Sequence, residues 1–559
     1  HRTFGLYRLE ILAALANAVL LLGVAQTIWK ASGRNLPEFF AGRSVEVAGI
    51  VVTYHEITTV VVGILVAVGL RVLLFNTRMG VAMRAVVDNR ELASQNGALP
   101  ERVSALAWAL GTTLAGVAGI LLAPKLSMSQ LILTLLVING YAAAILGQLK
   151  SLPKTYVGAM ILGITESYVI GYGSNFTFGK GWLGADSFFN EINSVVPVIF
   201  LFVLLVFLPQ ARLRVGRVVG AASPRVPNLR TTLRNAAVFL AVCLAASYAL
   251  SNSRLLDVTV GLCLGMVMLS LVLLSGYGKQ IALCQFTFVG IGALVMGKLF
   301  PGGQLVGMLV AFAVTAVIGA LIALPALRLQ DLYLGLVTFS VALFADKIVF
   351  DHPKTFDNGG NIFFDKAAIG PISLTTDRAK FMVAAAGFAL FAIVVLSVRR
   401  SRFGRMLAAT SDSPAAAATL GMNILRTKTA VFALSGGMAG AAGALFGVTR
   451  GSAGAVDFNV IRSLYIYLLA MIGGITTVTG AFIGGVVSTA LPIIQEEWVP
   501  RIQLTGLFIG IGAIVVSRSP NGIAGILLER MERMRHRRVD ADVTPSVAAP
   551  PKVPEPTTV

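Results

Sequence analysis

The sequence predicts an all-α polytopic membrane protein of two related transmembrane helix bundles, with about 15–16 spans in all. Three observations point there. Hydrophobic residues make up 56% of the chain and charged residues 13%, with mean hydropathy +0.81. Soluble domains run at about 45–50% apolar and about 25% charged. Second, long apolar runs alternate with short clusters of Lys and Arg. Third, one extended pattern occurs twice, 324 residues apart (Gly80 to Gly404), with no gap.

The net charge of +19 does not mark a nucleic-acid binder, because the cations sit between apolar spans and no basic domain interleaved with aromatics is present. It is the excess that cytoplasmic loops carry. Cys243, Cys263 and Cys284 lie scattered in apolar runs without a C-x-x-C, as buried small hydrophobes do. His1, His55, His352 and His536 are equally dispersed, so no metal site is expected. The chain starts at His1 without a charged, cleavable leader, and the expectation is a truncated or misassigned N-terminus.

Taken in order, residues 1–35 form one span set apart from the rest, and 36–211 form a first unit. Its later spans are expected near 103–123, 128–147, 155–173 and 194–209. The segment 212–234, with Gly, Pro, Ser and cations and no long apolar run, reads as a cytoplasmic linker. A second unit, 235–530, has spans near 235–251, 255–275, 280–299, 304–325, 331–350 and 380–398, then about four more. Residues 531–559 are a basic and then disordered tail, rich in Pro, Val, Thr and Ala at its end. Counted this way, every basic cluster falls on one side and the acidic loop 351–378 on the other.

The repeat is the sharpest signal. The first copy, T-R-M-G-V-A-M-R-A-V-V-D-N-R-E-L-A-S-Q-N-G, runs on to L-A-G-V-A-G-I-L at Leu121. The second, S-R-F-G-R-M-L-A-A-T-S-D-S-P-A-A-A-A-T-L-G, runs on to M-A-G-A-A-G-A-L at Leu445. Gly80 matches Gly404, Asp88 matches Asp412, Gly97 matches Gly421 and Arg102 matches Arg426. Arg84, Asp88 and Glu91 are spaced to share one helical face. An ordinary solvated loop would not repeat its length, its Asp and its downstream glycines. The reading is a cytoplasmic coupling helix that docks on a soluble motor subunit, with Gly80, Arg84, Asp88, Glu91, Gly97, Gly404, Asp412 and Gly421 as its residues. The A-G-x-A-G runs that follow are helix-packing features.

Ser275–Leu294 carries four glycines and a polar thread of Lys279, Gln280, Gln285 and Thr287. Polar groups at membrane depth face a bundle interior or a water path, so these residues, with Glu166, are the candidate translocation path. His55–Glu56 is a weaker case, and Arg328 with Asp331 reads as a charge pair at a span end. No G-x-x-x-x-G-K-[ST], H-E-x-x-H or Ser–His arrangement is found. The chain is therefore expected to be no enzyme, to need no cofactor, and to hydrolyse no ATP through a P-loop of its own.

With these residues in hand, the chain resembles the permease subunits of branched-chain amino acid ABC importers. Residues 36–215, with N-G-Y-A-A-A-I-L-G (139–147) and L-K-S-L-P-K-T-Y-V-G-A (149–159), resemble the smaller permease. Residues 235–530 resemble the larger, through S-G-Y-G-K-Q-I-A-L-C-Q-F-T-F-V-G-I-G-A (275–293), S-R-F-G-R-M-L-A-A (401–409) and A-M-I-G-G-I-T-T-V-T-G-A-F-I-G (470–484). The resemblance implies a fused permease in the plasma (cell inner) membrane. Its implied partners are two cytoplasmic ABC ATPase subunits, an extracytoplasmic substrate-binding protein, a small-molecule substrate and the lipid bilayer, with no nucleic acid. Lys279 and Cys284 depart from the glycines usual in the larger permease. A urea or short-amide importer is the alternative within the class. Residues 1–33 instead resemble the third span of cation diffusion facilitators, without the metal ligands, and read as a graft, truncation or gene-model join. They leave a cation/proton antiporter as the distant rival.

Overall fold

Backbone polar groups in a bilayer have no water to bond, so an apolar chain must satisfy them inside helices. The computed structural model describes residues 3–29, 35–126, 133–172, 195–207, 228–326, 331–498, 504–516 and 522–526. Within these, 48, 135, 149–150, 303, 353–354, 357–359, 365–367 and 370–371 are excepted. Helix α1 (Thr3–Ile28) is followed by an antiparallel hairpin of β1 (Ser44–Val47) and β2 (Ile50–Thr53), which delivers the chain into α2 (Tyr54–Asn76). Then come α3 (Arg78–Asp88), α4 (Arg90–Gln95), α5 (Pro100–Leu126), α6 (Val137–Leu146), α7 (Leu152–Tyr172) and α8 (Val196–Phe207).

The second unit opens with four helices that have no counterpart in the first unit among the described residues: α9 (Leu229–Ala249), α10 (Asn252–Leu271), α11 (Gln285–Leu299) and α12 (Leu305–Ala326). The basic end of the expected linker, Arg230 and Arg234, is already the first turns of α9. Helix α13 (Asp331–Phe344) follows, and both α10 and α13 end in a π-helical turn, Val272–Tyr277 and Ala345–Phe350. Short strands β3 (Asn361–Phe363), β4 (Ala368–Ile369) and β5 (Ile372–Ser373) lead to α14 (Asp377–Arg400). β4 pairs with β5, and β3 pairs with β6 (Ser452–Gly454) further on. The unit closes with α15 (Arg402–Asp412), α16 (Pro414–Thr419), α17 (Ile424–Arg450), α18 (Val460–Gly473), α19 (Val478–Trp498) and α20 (Leu504–Val516).

The duplication is structural as well as textual. Shifted by the repeat, α3, α4 and α5 have the same bounds, residue for residue, as α15, α16 and α17. A two-stranded hairpin precedes the adjoining span in both units. The cross-contacts repeat too: α13 packs on α8, and α1 packs on α20, where a Cβ on Gly510 would lie 2.5 Å from Leu20. Close helix crossings of this kind are what small residues permit in lipid.

The core sits in the second unit. α17 is packed against α10, α11 and α12, and α10 is also packed against α14 and α19. Residues Met266 through Leu274 of α10 and its π turn are essentially all buried. Among the described residues eight helices are long and apolar enough to cross a membrane, and five shorter apolar helices accompany them. The expected span near 128–147 is described as helix at 133–134 and over α6, and 280–299 only over α11, because the Gly278–Cys284 stretch is not helical. Arg328 lies outside the described residues.

Candidate coupling helices and membrane path

Each repeat turns a corner at the end of a span. Thr77 is extended and its Oγ1 accepts from the Gly80 N–H at 3.1 Å, capping α3. Ser401 does the same for Gly404 at 3.2 Å. The corner folds the new helix back on the old one. A Cβ at Gly80 would lie 2.2 Å from the Leu73 carbonyl oxygen, and one at Gly404 would lie 2.3 Å from that of Val398. Only glycine fits. At the other end Gly97 (φ 85°) and Gly421 (φ 76°) hold left-handed conformations that close α4 and α16. The Ala98 and Met422 N–H groups reach back to the Ala93 and Ala417 carbonyls, each at 3.0 Å. The four site glycines therefore shape the segment.

The helical face expected to join Arg84, Asp88 and Glu91 is interrupted. Asn89 is extended (φ −152°) and caps a new helix, accepting from the Leu92 N–H at 3.0 Å. Glu91 thus belongs to α4 and the other two to α3. Arg84 stacks over the Phe75 ring, 4.9 Å from its centroid, tying α3 to α2. Asp88 is exposed and makes no ion pair among the described residues. Apolar knobs that the sequence reading passed over stand out beside these polar residues: Val87 is 88% exposed, and Leu92 and Leu420 are exposed too.

The second copy is wired differently. Asp412 Oδ1 meets Lys279 Nζ at 2.5 Å, and the neighbouring Ser411 hydroxyl donates to the Gly278 carbonyl at 3.1 Å. Lys279, expected in the path, ties α15 to the break between α10 and α11, where it holds φ 49°. Arg399, at the end of α14, stacks on Tyr277 at 4.4 Å from the same break.

The rest of the polar thread is interior. Gln285 Nε2 donates to Ser270 Oγ at 2.6 Å and Ser435 Oγ at 2.9 Å, and the Ser435 hydroxyl donates to the Ser270 carbonyl at 2.8 Å. The buried Gln280 amide has no hydrogen-bond partner among the described residues, and neither has Gln285 Oε1. Thr287 is buried in the first turn of α11. Glu166 lies in the other unit, on α7, accepting from Asn139 Nδ2 of α6 at 3.3 Å. His55 is structural. Its Nδ1 accepts from the Phe39 N–H at 3.3 Å, which leaves Nε2 protonated to donate to the Leu121 carbonyl at 3.0 Å, and Glu56 pairs with Lys125. These contacts pin the start of α2 to the end of α5.

Beyond α17, Asp457 bonds Arg450 at 2.7 Å and Arg462 at 3.1 Å. Burial works to raise its carboxyl, but the Arg450 hydrogen bond, the Gly454 N–H and the two cationic charges outweigh it and hold it below the ordinary carboxylate value. Among the described residues no cluster of His, Cys, Asp and Glu could hold a metal. All three cysteines are buried and free.

Comparison with known proteins decides the family. The family described as "Branched-chain amino acid transport system / permease component" matches residues 8–208 and, a second time, 235–517. The chain belongs to this family. The chain is a multi-pass membrane protein of two such units, and its family is one of transport components, not of enzymes. The first match begins at residue 8, so it takes in most of α1. A protein of Methanocaldococcus jannaschii named "Probable branched-chain amino acid transport permease protein LivH" is 33% identical over 178 residues, 31% of this chain and 56% of that protein. The Pseudomonas aeruginosa "High-affinity branched-chain amino acid transport system permease protein BraD" is 29% identical over 196 residues, 35% of this chain and 58% of that one. The chain thus spans little more than half the length of the curated relatives it matches. No solved structure matches it significantly.

Proposed function

We propose that the chain is the membrane-embedded permease of an ATP-driven importer for branched-chain or related small amino acids. The α3–α4 and α15–α16 segments each dock on one of two cytoplasmic ATPase subunits, and an extracytoplasmic binding protein delivers the substrate. The observation that carries this reading is the repeated corner, with the same caps, glycines and helix bounds in both copies. Exposed Val87, Leu92 and Leu420 give each copy an apolar knob for a groove on the motor. Positive-inside charge puts both corners in the cytoplasm. ATP-driven approach of the motors would then rock the two units and alternate access to a site between them.

Within this reading Lys279 serves coupling and does not line the path. The Lys279–Asp412 and Ser411–Gly278 contacts would carry motion of α15 to the Gly278–Cys284 break and so to Gln280 and Gln285. Helix α1 is the first unit's counterpart of α13, a native permease helix. Reconstitution with candidate ABC ATPase subunits and an extracytoplasmic binding protein tests the proposal. ATP-dependent leucine uptake is the expected result. Uptake of urea in its place would move the substrate class, and no ATP-dependent uptake of either would overturn the proposal.

A further inference from the structure

A groove of about 480 Å³ lies between α9, α14 and the start of α19, with Tyr277 of the π turn in its wall. The antiparallel course of α9 and α14 sets its direction. Thr232 of α9 accepts from Arg400 of α14 at 2.5 Å, and Phe239 meets Phe388 at 5.5 Å between centroids. Further along, Arg378 of α14 covers Tyr248 of α9. The lining on α14 runs from Phe388 to Arg399. At 1.5 Å per residue that is about 16 Å, the depth of one leaflet's hydrocarbon.

The groove's two ends differ in chemistry. At the inner end Phe239, Phe388 and Phe482 form a three-ring cluster with centroids 5.5, 5.6 and 5.8 Å apart. In the middle, Ala389 and Ala392 leave the width open. The outer end holds Arg399, Asn235 and the hydroxyls of Thr476, Thr477 and Thr479, with exposed Arg230 and Arg234 on the flanking turns of α9. Among the described residues no Asp or Glu lines the groove. A zwitterionic amino acid would find no carboxylate to neutralise its ammonium there, whereas an anion with an apolar tail would find both its halves matched.

We propose that this groove binds an anionic phospholipid of the leaflet that faces the basic loops. Its phosphate sits at Arg399, and one acyl chain lies along α14 to the phenylalanine cluster. Basic pockets between spans on the cytoplasmic side are sites of this kind. The leaflet assignment rests on the sidedness given above, and the occupant rests on the groove alone. Because Arg399 also stacks on Tyr277, a bound phosphate bears on the break that Lys279 ties to α15.

The test uses the full chain with Phe388→Trp as reporter, its emission read as the excess over the native tryptophans. The probes are vesicles carrying brominated-acyl phosphatidylglycerol or brominated-acyl phosphatidylcholine at equal mole fraction. Phosphatidylglycerol should quench with about fivefold higher apparent affinity, the factor that one arginine near an anionic headgroup contributes. Arg399→Gln should abolish that preference and Arg399→Lys should keep it. Equal quenching by the two lipids, or a preference that survives Arg399→Gln, would overturn the proposal. So would relief of quenching by inorganic phosphate, which would make the site one for free anions. Native mass spectrometry of the wild-type chain is the check should the reporter variant misfold, with retained phosphatidylglycerol expected and equal retention of phosphatidylcholine against it. Both readouts are of binding, so their failure leaves the importer reading standing, and loss of ATP-dependent uptake does not touch this one.

Discussion

Helices α5 and α17 descend from one pattern, share their bounds and follow the same corner, yet their surroundings could hardly differ more. The apolar window of α17 is 89% buried and that of α5 is 0% buried. On α17, a Cβ at Gly440 would lie 2.1 Å from Thr315 Oγ1 of α12, and one at Gly443 would lie 2.0 Å from the Val289 carbonyl oxygen of α11. The equivalent positions on α5, Gly116 and Gly119, have nothing within 4 Å. On the α17 side, helices α9–α12 clothe α14, α17 and α19. A helix and its corner are local achievements, and burial is a gift of the neighbours.

The comparison breaks most visibly at the paired glycines. Gly440→Val should prevent stable folding, since overpacking a tight crossing costs about 1–3 kcal/mol or more and the contact here is to a buried Thr on a facing helix. Gly116→Val should leave thermal unfolding in detergent within about 0.5 kcal/mol of wild type. Equal loss in the two would mean that α5 is clothed as α17 is.

Next come the corners, where the copies should behave alike. Gly97→Pro and Gly421→Pro each force φ near −65° on a position held at 85° or 76°. Both should cut ATPase co-purification by about tenfold or more, and normal recovery of the motor with either variant would count against the docking assignment.

The two aspartates should separate the copies again. Asp412→Lys should lower coupled uptake several-fold by repelling Lys279, and the exchange Lys279→Asp with Asp412→Lys should restore much of it. Asp88→Lys has no such rescue partner among the described residues, so its loss should appear as weaker ATPase co-purification. A swap that restores nothing would reduce the Lys279 contact to an incidental surface pair.

The smallest effect is one of pH. The Asp457 carboxyl is held below its ordinary value of 3.8, so its stabilising contribution is complete above that value and is lost as pH falls through the folded-state value. Unfolding temperature should be insensitive to Asp457→Asn-type changes in slope between neutral pH and about pH 5, then fall more steeply in wild type than in Asp457→Asn below about pH 4. At neutral pH the variant should lose about 1 kcal/mol.

Much of the fold and part of the candidate site were legible without coordinates. The caps Thr77 and Ser401 and the left-handed Gly97 and Gly421 act within a few residues of chain, so spacing alone announces them. The break at Asn89 was legible in principle, since Asn there can cap a new helix three residues before Leu92 bonds to it, but an i, i+4, i+7 pattern masked it. The Lys279 contact was not legible. A lysine in a glycine-rich apolar run shows no partner until Asp412, 133 positions away, is brought beside it. His55 and Glu56 likewise read as a polar pair in a span until Leu121 and Lys125 arrive from the far end of α5.

What the sequence determined by itself is therefore the membrane class, the duplication and the shape of each corner. Hydropathy, capping and glycine conformation depend on the residue and its immediate neighbours. Only the tertiary structure decided which copy of the repeat is buried, which aspartate is held by a lysine, and where a leaflet-deep groove opens. Those outcomes depend on which helices pack side by side, and contacts between residues distant in the chain are created only when the helices assemble.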